Sequence, residues 1–149
     1  MKINNQYWKN ELTPPYSPCE NDELYYKNNL IQGTTLLLGC THKLIKYSSY
    51  QMDIDPWYKA NTVIVKDWIH NSDFYDNIIG DGVFNFTKTL TDKVLKMASK
   101  FSKNLIIRCF NQKLEKMIIA DYFPNIENFI IKPTNYDNFG LYSFYIWKF

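Results

Sequence analysis

The stretch Thr34-Thr35-Leu36-Leu37-Leu38-Gly39-Cys40-Thr41 decides the fold of this chain. Residues 34–38 show no alternation of polar and apolar side chains, which is typical of a strand buried on both faces of a parallel sheet. Gly39 follows at once, and a glycine allows the backbone to turn tightly after a strand. We therefore expect an α/β fold whose first strand ends at this glycine.

Short apolar runs between turn residues recur on both sides of this strand. Six further strands are predicted, at residues 51–54, 62–65, 75–79, 104–109, 129–131 and 141–147. Three helices are predicted: a short one with Ser17 as cap and Pro18 as first residue, one capped by Thr91-Asp92 and running to Phe101, and one over residues 112–122. Strands that alternate with helices favour a doubly wound parallel sheet, and the last two strands, without a helix between them, favour an antiparallel hairpin at one edge.

The composition indicates one folded domain. The chain has 149 residues, of which 46% are hydrophobic, 17% aromatic and 21% charged, so it is too apolar for a disordered tail. Seventeen basic and 15 acidic residues give a net charge of +2 without a dense basic stripe. Nucleic acid is therefore not expected as a partner.

Cysteine usage and hydropathy bear on the compartment. Three widely spaced cysteines without a CxxC pair argue against a disulfide framework and for a reducing environment. The polar N-terminus lacks the apolar core of a signal peptide, and no apolar run approaches a membrane span of roughly 20 residues. We predict a cytoplasmic protein without membrane contact.

The chain divides at about residue 33. Residues 1–33 are rich in proline, tyrosine and polar side chains, and we predict an N-terminal arm with a short helix. Its aromatic residues either fold over the ligand crevice as a lid or acceptor wall, or cover the open end of the sheet. Residues 34–149 are predicted to form the domain that carries the sheet.

Polar residues follow the predicted strands where these end. The segments are Gly39-Cys40-Thr41-His42, Asp53-Ile54-Asp55-Pro56, Lys66-Asp67-Trp68, Gly80-Asp81-Gly82 and Arg108-Cys109. In an open parallel sheet, ligands bind beyond the carboxyl ends of the strands. A single glycine in the first loop disfavours a diphosphate cofactor, whereas carboxylates suit ribose hydroxyls and an adenine amine. A positively charged cofactor with ribose and adenine but no phosphates fits such a site.

These segments resemble the class I S-adenosylmethionine-dependent methyltransferases. The resemblance covers roughly residues 15–149 and rests on residues 36–41, Asp53, residues 66–68 and residues 79–82. It implies a Rossmann-like, mostly parallel seven-stranded sheet with an antiparallel C-terminal strand, here with shortened crossovers. It also implies S-adenosylmethionine as the cofactor, bound across the first three loops.

The resemblance assigns roles to individual residues. Gly39, with Thr41 in the same loop, would approach the methionine part of the cofactor, and Asp53 would bind the ribose hydroxyls, with Asp55 as the less favoured alternative. Asp67 would meet the adenine amine while Trp68 packs by the ring. Asp81 and Gly82 would lie near the methyl group. Thr41 stands where the family often has a second glycine.

Each of these residues also has a plain structural interpretation. Gly39 and Asp81-Gly82 could form ordinary turns, Asp67 could cap a short helix, and the tryptophans could pack in the core. The lone arginine, Arg108, is predicted at a strand exit facing the crevice, with pairing to a carboxylate as the plain alternative. Cys40-x-His42 is not a usual zinc pattern, so no metal is predicted, and Cys109 reads as a buried thiol.

We therefore expect a methyltransferase that acts on a small-molecule acceptor. Methyl transfer needs mainly in-line placement, which agrees with the lack of a visible catalytic triad. If the acceptor must lose a proton, Asp81 is the first candidate for the catalytic base and Tyr16 the second. The alternatives are a non-catalytic protein that binds S-adenosylmethionine or S-adenosylhomocysteine, and a nucleic-acid modifier. The short crossovers predict an open crevice, completed by a small acceptor or by a second subunit in a homodimer.

Overall fold

The computed structural model describes residues 17–83, 88–110, 129–133 and 142–149. Its strands are β1 (Thr35–Leu38), β2 (Tyr50–Asp53), β3 (Val63–Val65), β4 (Tyr75–Asp81), β5 (Ser102–Phe110), β6 (Phe129–Pro133) and β7 (Tyr142–Lys148). Its α-helices are α1 (Glu20–Asn29) and α2 (Lys88–Phe101), and two short 3-10 helices span His42–Tyr47 and Trp68–His70.

The strands form one mixed sheet in the order β3-β2-β1-β4-β5-β7-β6. Strands β1 to β5 run parallel to one another, whereas β7 is antiparallel to both β5 and β6. Strand β1 lies between β2 and β4, so the chain changes its winding direction there and the loops after β1 and β4 separate. The predicted Rossmann-like class, with an antiparallel C-terminal strand and a terminal hairpin, is confirmed.

The two α-helices cover opposite faces of the sheet. Val94, Met97 and Ala98 of α2 pack with the alternate strand residues Leu36, Leu38, Ile78, Leu105 and Ile107. Tyr26 of α1 and Leu44 of the first 3-10 helix pack on the other face, against Leu37, Ile79 and Ile106. Both faces of β1 are therefore buried, which explains the unbroken apolar run in its sequence.

The crossovers from β1 to β2, from β2 to β3 and from β3 to β4 contain no α-helix, in agreement with the predicted shortening. The first and third contain only the 3-10 helices, and residues 54–62 join β2 to β3 as an irregular loop. Of the four crossovers between β1 and β5, only the one from β4 to β5 contains an α-helix within the described residues. The two helices predicted within the described residues are both present, although they begin at other residues than predicted.

Two predicted helix starts are wrong. Helix α1 begins at Glu20 with Cys19 as its N-cap, and Pro18 lies outside it, because Asp22 Oδ2 accepts a hydrogen bond from the Cys19 N–H at 3.1 Å. Helix α2 begins at Lys88, and Thr91 is buried within it instead of capping it. Leu90, which precedes Thr91, already packs against the core, so the helix begins before the cap-like pair Thr91-Asp92.

Buried amides tie the amino ends of the strands to the segment after α1. We call Asn77, Asn104 and Thr35 the asparagine cluster. Asn77 Nδ2 donates to the Ile31 carbonyl at 2.8 Å and to Thr35 Oγ1 at 3.2 Å, while its Oδ1 accepts from the Ile31 N–H at 2.9 Å and from Asn104 Nδ2 at 2.8 Å. Asn104 Nδ2 also donates to the Asn29 carbonyl at 2.9 Å. The chain entering β1 is therefore fixed by buried hydrogen bonds.

Several predictions fall on residues outside the described ranges. These are the helix over residues 112–122, Tyr16 as a candidate base, and residues 1–16 of the arm. Within the described ranges, neither α-helix is long and apolar enough to cross a membrane.

Candidate functional site

The loops after β1, β2 and β3 meet at the carboxyl end of β2. The Met52 carbonyl accepts hydrogen bonds from the Gly39 N–H at 2.8 Å and from Trp68 Nε1 at 2.7 Å. Gly39 has φ +92°, a conformation that favours glycine. Among the described atoms, the nearest to a Cβ added at Gly39 would be Trp68 Cζ2, at 3.7 Å. Gly39 and Trp68, predicted from separate segments, thus lie in contact.

Asp53 ends β2 beside these two residues. Its Oδ1 accepts a hydrogen bond from the Asp55 N–H at 2.9 Å, and its backbone carbonyl accepts from the Lys66 N–H at 3.1 Å. The Asp53 side chain is half-buried, and burial raises its pKa, whereas Asp55 is exposed. A carboxylate kept partly out of water, with its orientation fixed by a backbone N–H, is suited to accepting hydrogen bonds from ligand hydroxyls.

The irregular loop over residues 54–62 supplies side chains that the sequence interpretation did not assign to the site. Trp57 Nε1 donates to the Cys40 carbonyl at 2.9 Å, and the Trp57 ring stacks on His42 with centroids 4.3 Å apart. Tyr58 donates its hydroxyl to Gln51 Oε1 at 2.7 Å. The sequence signal for these residues was the pair Trp57-Tyr58 in a polar segment between two strands, because aromatic side chains in such a loop tend to pack against the sheet.

Cys40 is a buried thiol next to Asp53. Burial, together with the negative charge of Asp53, raises the pKa of Cys40 to about 12. Burial also raises the pKa of Cys109 well above its ordinary value. Both thiols are protonated at neutral pH, so neither is an activated nucleophile.

Thr41 and Asp67 each precede a 3-10 helix. The Thr41 carbonyl accepts from the Leu44 N–H at 3.0 Å, and its side chain caps nothing. Asp67 Oδ1 accepts from the Ile69 N–H at 3.2 Å, which is the plain capping role. Capping occupies one oxygen in that bond, and a carboxylate has acceptor capacity for further partners. The adenine role of Asp67 stays a prediction.

Asp81 lies at the end of β4 and forms a bidentate ion pair with Arg108 of β5. Arg108 Nε donates to Asp81 Oδ1 at 2.7 Å, and Arg108 Nη2 donates to Asp81 Oδ2 at 3.0 Å. Burial raises the pKa of Asp81 and the guanidinium acts in the opposite direction, with a net rise. Both carboxylate oxygens bind Arg108, whose positive charge opposes the transfer of a proton from an acceptor to Asp81. Its catalytic role stays a prediction.

Arg108 does not face the crevice as predicted. Its side chain is 1% exposed, and it lies 3.6 Å from Asp22 Oδ2 of α1 in addition to Asp81. The guanidinium carbon is 4.6 Å from the ring centre of Tyr142 at the start of β7. The plain alternative, pairing with a carboxylate, is correct for Arg108. Because the guanidinium is buried, its charge needs such partners.

Two glycines shape the exit of β4. Gly82 has φ +71° and donates its N–H to the Arg108 carbonyl at 2.7 Å, so the turn after Asp81 requires a glycine-type conformation. A Cβ at Gly80 would overlap Val83 Cγ2 at 2.5 Å. Close packing therefore demands glycine at position 80, while backbone conformation favours it at 82.

The predicted site residues fall into two groups on either side of the point where the winding reverses. Gly39, Thr41, Asp53, Asp67 and Trp68 belong to the loops after β1, β2 and β3, and Asp81 and Gly82 to the loop after β4. Leu38 pairs with Gly80, so Gly39 and Asp81 directly follow paired residues of adjacent strands. In the described part of the chain, no group of three or more His, Cys, Asp or Glu residues could hold a metal ion.

The fold of this chain resembles that of solved methyltransferase structures. Magnesium protoporphyrin IX methyltransferase (ChlM) from Synechocystis PCC 6803 with bound SAM superimposes with a TM-score of 0.55 at 15% identity, covering 83% of this chain and 72% of that one. The plantazolicin methyltransferase BpumL in complex with SAH gives a TM-score of 0.59 at 13% identity, covering 83% and 79%. An rRNA methylase from Streptococcus thermophilus gives 0.57 at 10% identity, covering 85% and 93%.

This chain has the fold of the class I S-adenosylmethionine-dependent methyltransferases. The Rossmann-like, mostly parallel sheet with an antiparallel C-terminal strand, which the resemblance implies, is thereby confirmed. No protein-family model matches the sequence, and no curated protein matches it. The comparison therefore rests on structure, and the acceptors of the three proteins differ in kind.

Proposed function

We propose that this protein is an S-adenosylmethionine-dependent methyltransferase that acts on a small-molecule acceptor. One observation carries the proposal: in a sheet with the methyltransferase strand order, Gly39, Asp53 and Trp68 come together at the carboxyl end of β2. Two of the structural neighbours contain SAM or SAH, which supports the same cofactor for this chain.

The residues present fit S-adenosylmethionine. Gly39 offers backbone without a side chain, and Asp53 offers a half-buried carboxylate of fixed orientation. We assign the ribose hydroxyls to Asp53 and the methionine part to the loop of Gly39 and Thr41. Asp67 would accept from the adenine amine, and Trp68 would pack by the ring.

Bound S-adenosylmethionine would supply a methyl group on a positively charged sulfur. The contribution of the chain is then to orient the donor, exclude water and hold the acceptor in line with the methyl group. We place Asp81 and Gly82 on the acceptor side of the site. Where an acceptor must lose a proton, Asp81 would take it on a carboxylate oxygen released from Arg108.

Isothermal titration of the purified chain with S-adenosylmethionine and with S-adenosylhomocysteine tests the cofactor. We expect one site per chain, with binding weakened in the Asp53→Ala variant and kept in Asp55→Ala. Absence of binding at millimolar ligand would contradict the proposal. Normal binding by Asp53→Ala would show that the ribose contacts lie elsewhere.

The non-catalytic alternative is favoured by one observation. The loop after β1 has a single glycine and leads into a 3-10 helix of six residues, not into an α-helix. Incubation with methyl-labelled cofactor and a small-molecule extract separates the two functions. Label transferred to an extract component supports the enzyme, whereas binding without transfer supports a cofactor-binding protein.

The nature of the acceptor is the remaining part of the proposal. Net charge +2 and short crossovers support a small molecule, although one structural neighbour is an rRNA methylase. An RNA acceptor would show binding that weakens steeply with salt. The proposal includes the predicted cytoplasmic location and a second copy of the chain completing the site wall. Light scattering of the purified chain tests the homodimer.

A further inference from the structure

The lone arginine of the chain joins three parts of the fold. We call Arg108, Asp81, Asp22 and Tyr26 the arginine cluster. Arg108 comes from β5, Asp81 from the exit of β4, and the other two from helix α1. The side chains of Arg108, Asp81 and Asp22 are 1%, 8% and 2% exposed, so the cluster is closed to solvent. Buried ion pairs of this kind are often neutral for stability, so stability does not by itself explain the cluster.

Tyr26 binds backbone groups of both β4 and β5. Its hydroxyl donates to the Gly80 carbonyl at 2.6 Å and accepts from the Arg108 N–H at 3.2 Å. Asp81 and Arg108 are paired in the register of β4 and β5. The Tyr26 hydroxyl therefore binds β4 at Gly80, the residue directly before Asp81. Tyr26 is fully buried, and its ring contacts Phe144 of β7 at 4.9 Å between centroids.

Asp22 connects the same arginine to the start of α1. Its Oδ2 accepts from the Cys19 N–H at 3.1 Å and lies 3.6 Å from Arg108 Nη1. The first turn of α1 and the exit of β4 therefore share one guanidinium. Because Arg108 donates to Asp81 through a planar bidentate pair, the position of the arginine fixes the orientation of the Asp81 carboxylate.

We propose that Arg108 is a positioning residue that, with Tyr26 and Asp22, holds the Asp81–Gly82 segment in one conformation and couples it to helix α1. The functional meaning of this inference rests on the proposed function, in which Asp81 and Gly82 lie on the acceptor side. It adds that the N-terminal helix takes part in shaping that side. The sequence separation, 86 residues between Asp22 and Arg108, makes this coupling invisible to local pattern analysis.

Hydrogen exchange measured residue by residue tests the inference without any acceptor. In Tyr26→Phe and Arg108→Lys, we expect the Gly82 and Val83 amides to exchange at least tenfold faster, relative to the Ile78 and Leu105 amides of the same strands. A general loss of stability would accelerate all four amides alike. Tyr75→Phe, at the amino end of β4, is the matched control for Tyr26→Phe and should leave the ratio unchanged.

Asp22→Asn tests the coupling to α1, with Glu23→Gln as its control on the same helix. Glu23 is paired with Lys46. We expect Asp22→Asn, but not Glu23→Gln, to accelerate exchange at Gly82. If Arg108→Lys does not fold, Tyr26→Phe and Asp22→Asn carry the test. Equal acceleration at all four amides, or none at Gly82 in both variants, would overturn the inference.

Cofactor titration separates this inference from the proposed function. If the wild-type chain binds no S-adenosylmethionine, the proposed function fails, while the exchange pattern still decides whether the cluster positions Asp81–Gly82. If the wild type binds and the variants show the local acceleration, both stand. We then expect Tyr26→Phe to keep cofactor affinity within about threefold, because its contacts lie on the acceptor side and not at Asp53.

Discussion

The amino and carboxyl ends of the parallel strands differ in the polar groups that they bury. At the amino end, the asparagine cluster joins neutral amides to backbone groups of the same edge. At the carboxyl end, Asp53, Asp81 and Arg108 place charges in partly or fully buried positions. Charge is present at both ends, because the Lys148 ammonium donates to Asn104 Oδ1 at 2.7 Å and burial lowers the pKa of Lys148. The carboxyl end differs in burying carboxylates whose pKa burial raises.

The pKa shifts of three carboxylates express the same contrast. Hydrogen bonds from Thr34 lower the pKa of Asp76 at the amino end. Burial raises the pKa of Asp53 and of Asp81 at the carboxyl end. Ionised carboxylates held against their preference are frequent where a protein binds or transforms a ligand, because a ligand can supply the missing partners. The raised pKa values of Asp53 and Asp81 agree with the ligand site that we propose at the carboxyl end.

The largest expected effect is loss of the asparagine cluster. Asn77→Ala removes hydrogen bonds to the Ile31 backbone and to Asn104 and leaves their buried partners unsatisfied. We expect the free energy of unfolding, measured in urea, to fall by about 3 kcal/mol. Cofactor affinity of the folded fraction should not change. Asn28→Ala, on the exposed side of α1, is the control, and a loss below about 1 kcal/mol in Asn77→Ala would refute the structural role.

Gly33→Ala is expected to have the next largest effect. Gly33 has φ +132°, and a Cβ there would overlap the Asp76 carboxylate. Backbone strain and displacement of Asp76 should lower the free energy of unfolding by about 2 kcal/mol. Urea unfolding measures the change. Because the residue lies at the amino end, a parallel titration with S-adenosylmethionine should show unchanged affinity, and a weakened affinity would break the division between the two ends.

Asp53→Asn should have the converse result. The variant loses a charged acceptor for ribose hydroxyls, so the Kd for S-adenosylmethionine should rise about tenfold. Its free energy of unfolding should stay equal or increase, because burial disfavours the ionised Asp53. Asp55→Asn, exposed and adjacent, should change neither quantity. A destabilised Asp53→Asn with normal affinity would mean that Asp53 serves the fold.

The sequence predicts those features that a local pattern of residues determines, which are the strands and the loops that follow them. Unbroken apolar runs located β1 and β5, and Gly39, Asp53 and Trp68 were placed at strand exits, where they lie. The positions of α1 and α2 were found, but their first residues were not, because a cap-like pair such as Thr91-Asp92 can also lie inside a helix. Local pattern contains no information about which side chain a distant segment will bury.

The missed features all depend on partners far apart in the chain. Asn77 and Asn104 lie in strands that the sequence predicts, but it does not predict that both side chains are fully buried. Their backbone partners, Ile31 and Asn29, lie 46 and 75 residues away. Strand β5 continues to Phe110, one residue beyond the end that the sequence predicts. The Arg108 side chain is enclosed there, and does not face the crevice as the sequence predicts. Only the packed sheet reveals which charges have partners.

The smallest expected effect is on the pH dependence of stability, and it separates the two ends by sign. The lowered pKa of Asp76 stabilises the fold above the ordinary carboxyl value of about 4 and is lost as pH falls through the lowered value. Asp76→Asn should therefore flatten the acid side of a plot of unfolding free energy against pH. The raised pKa of Asp53 costs stability as pH rises from about 4 through the raised value, so Asp53→Asn should gain stability relative to wild type over that interval. Urea unfolding at a series of pH values measures both, and deviations of the same sign would show that the two ends of the sheet do not differ in how they hold charge.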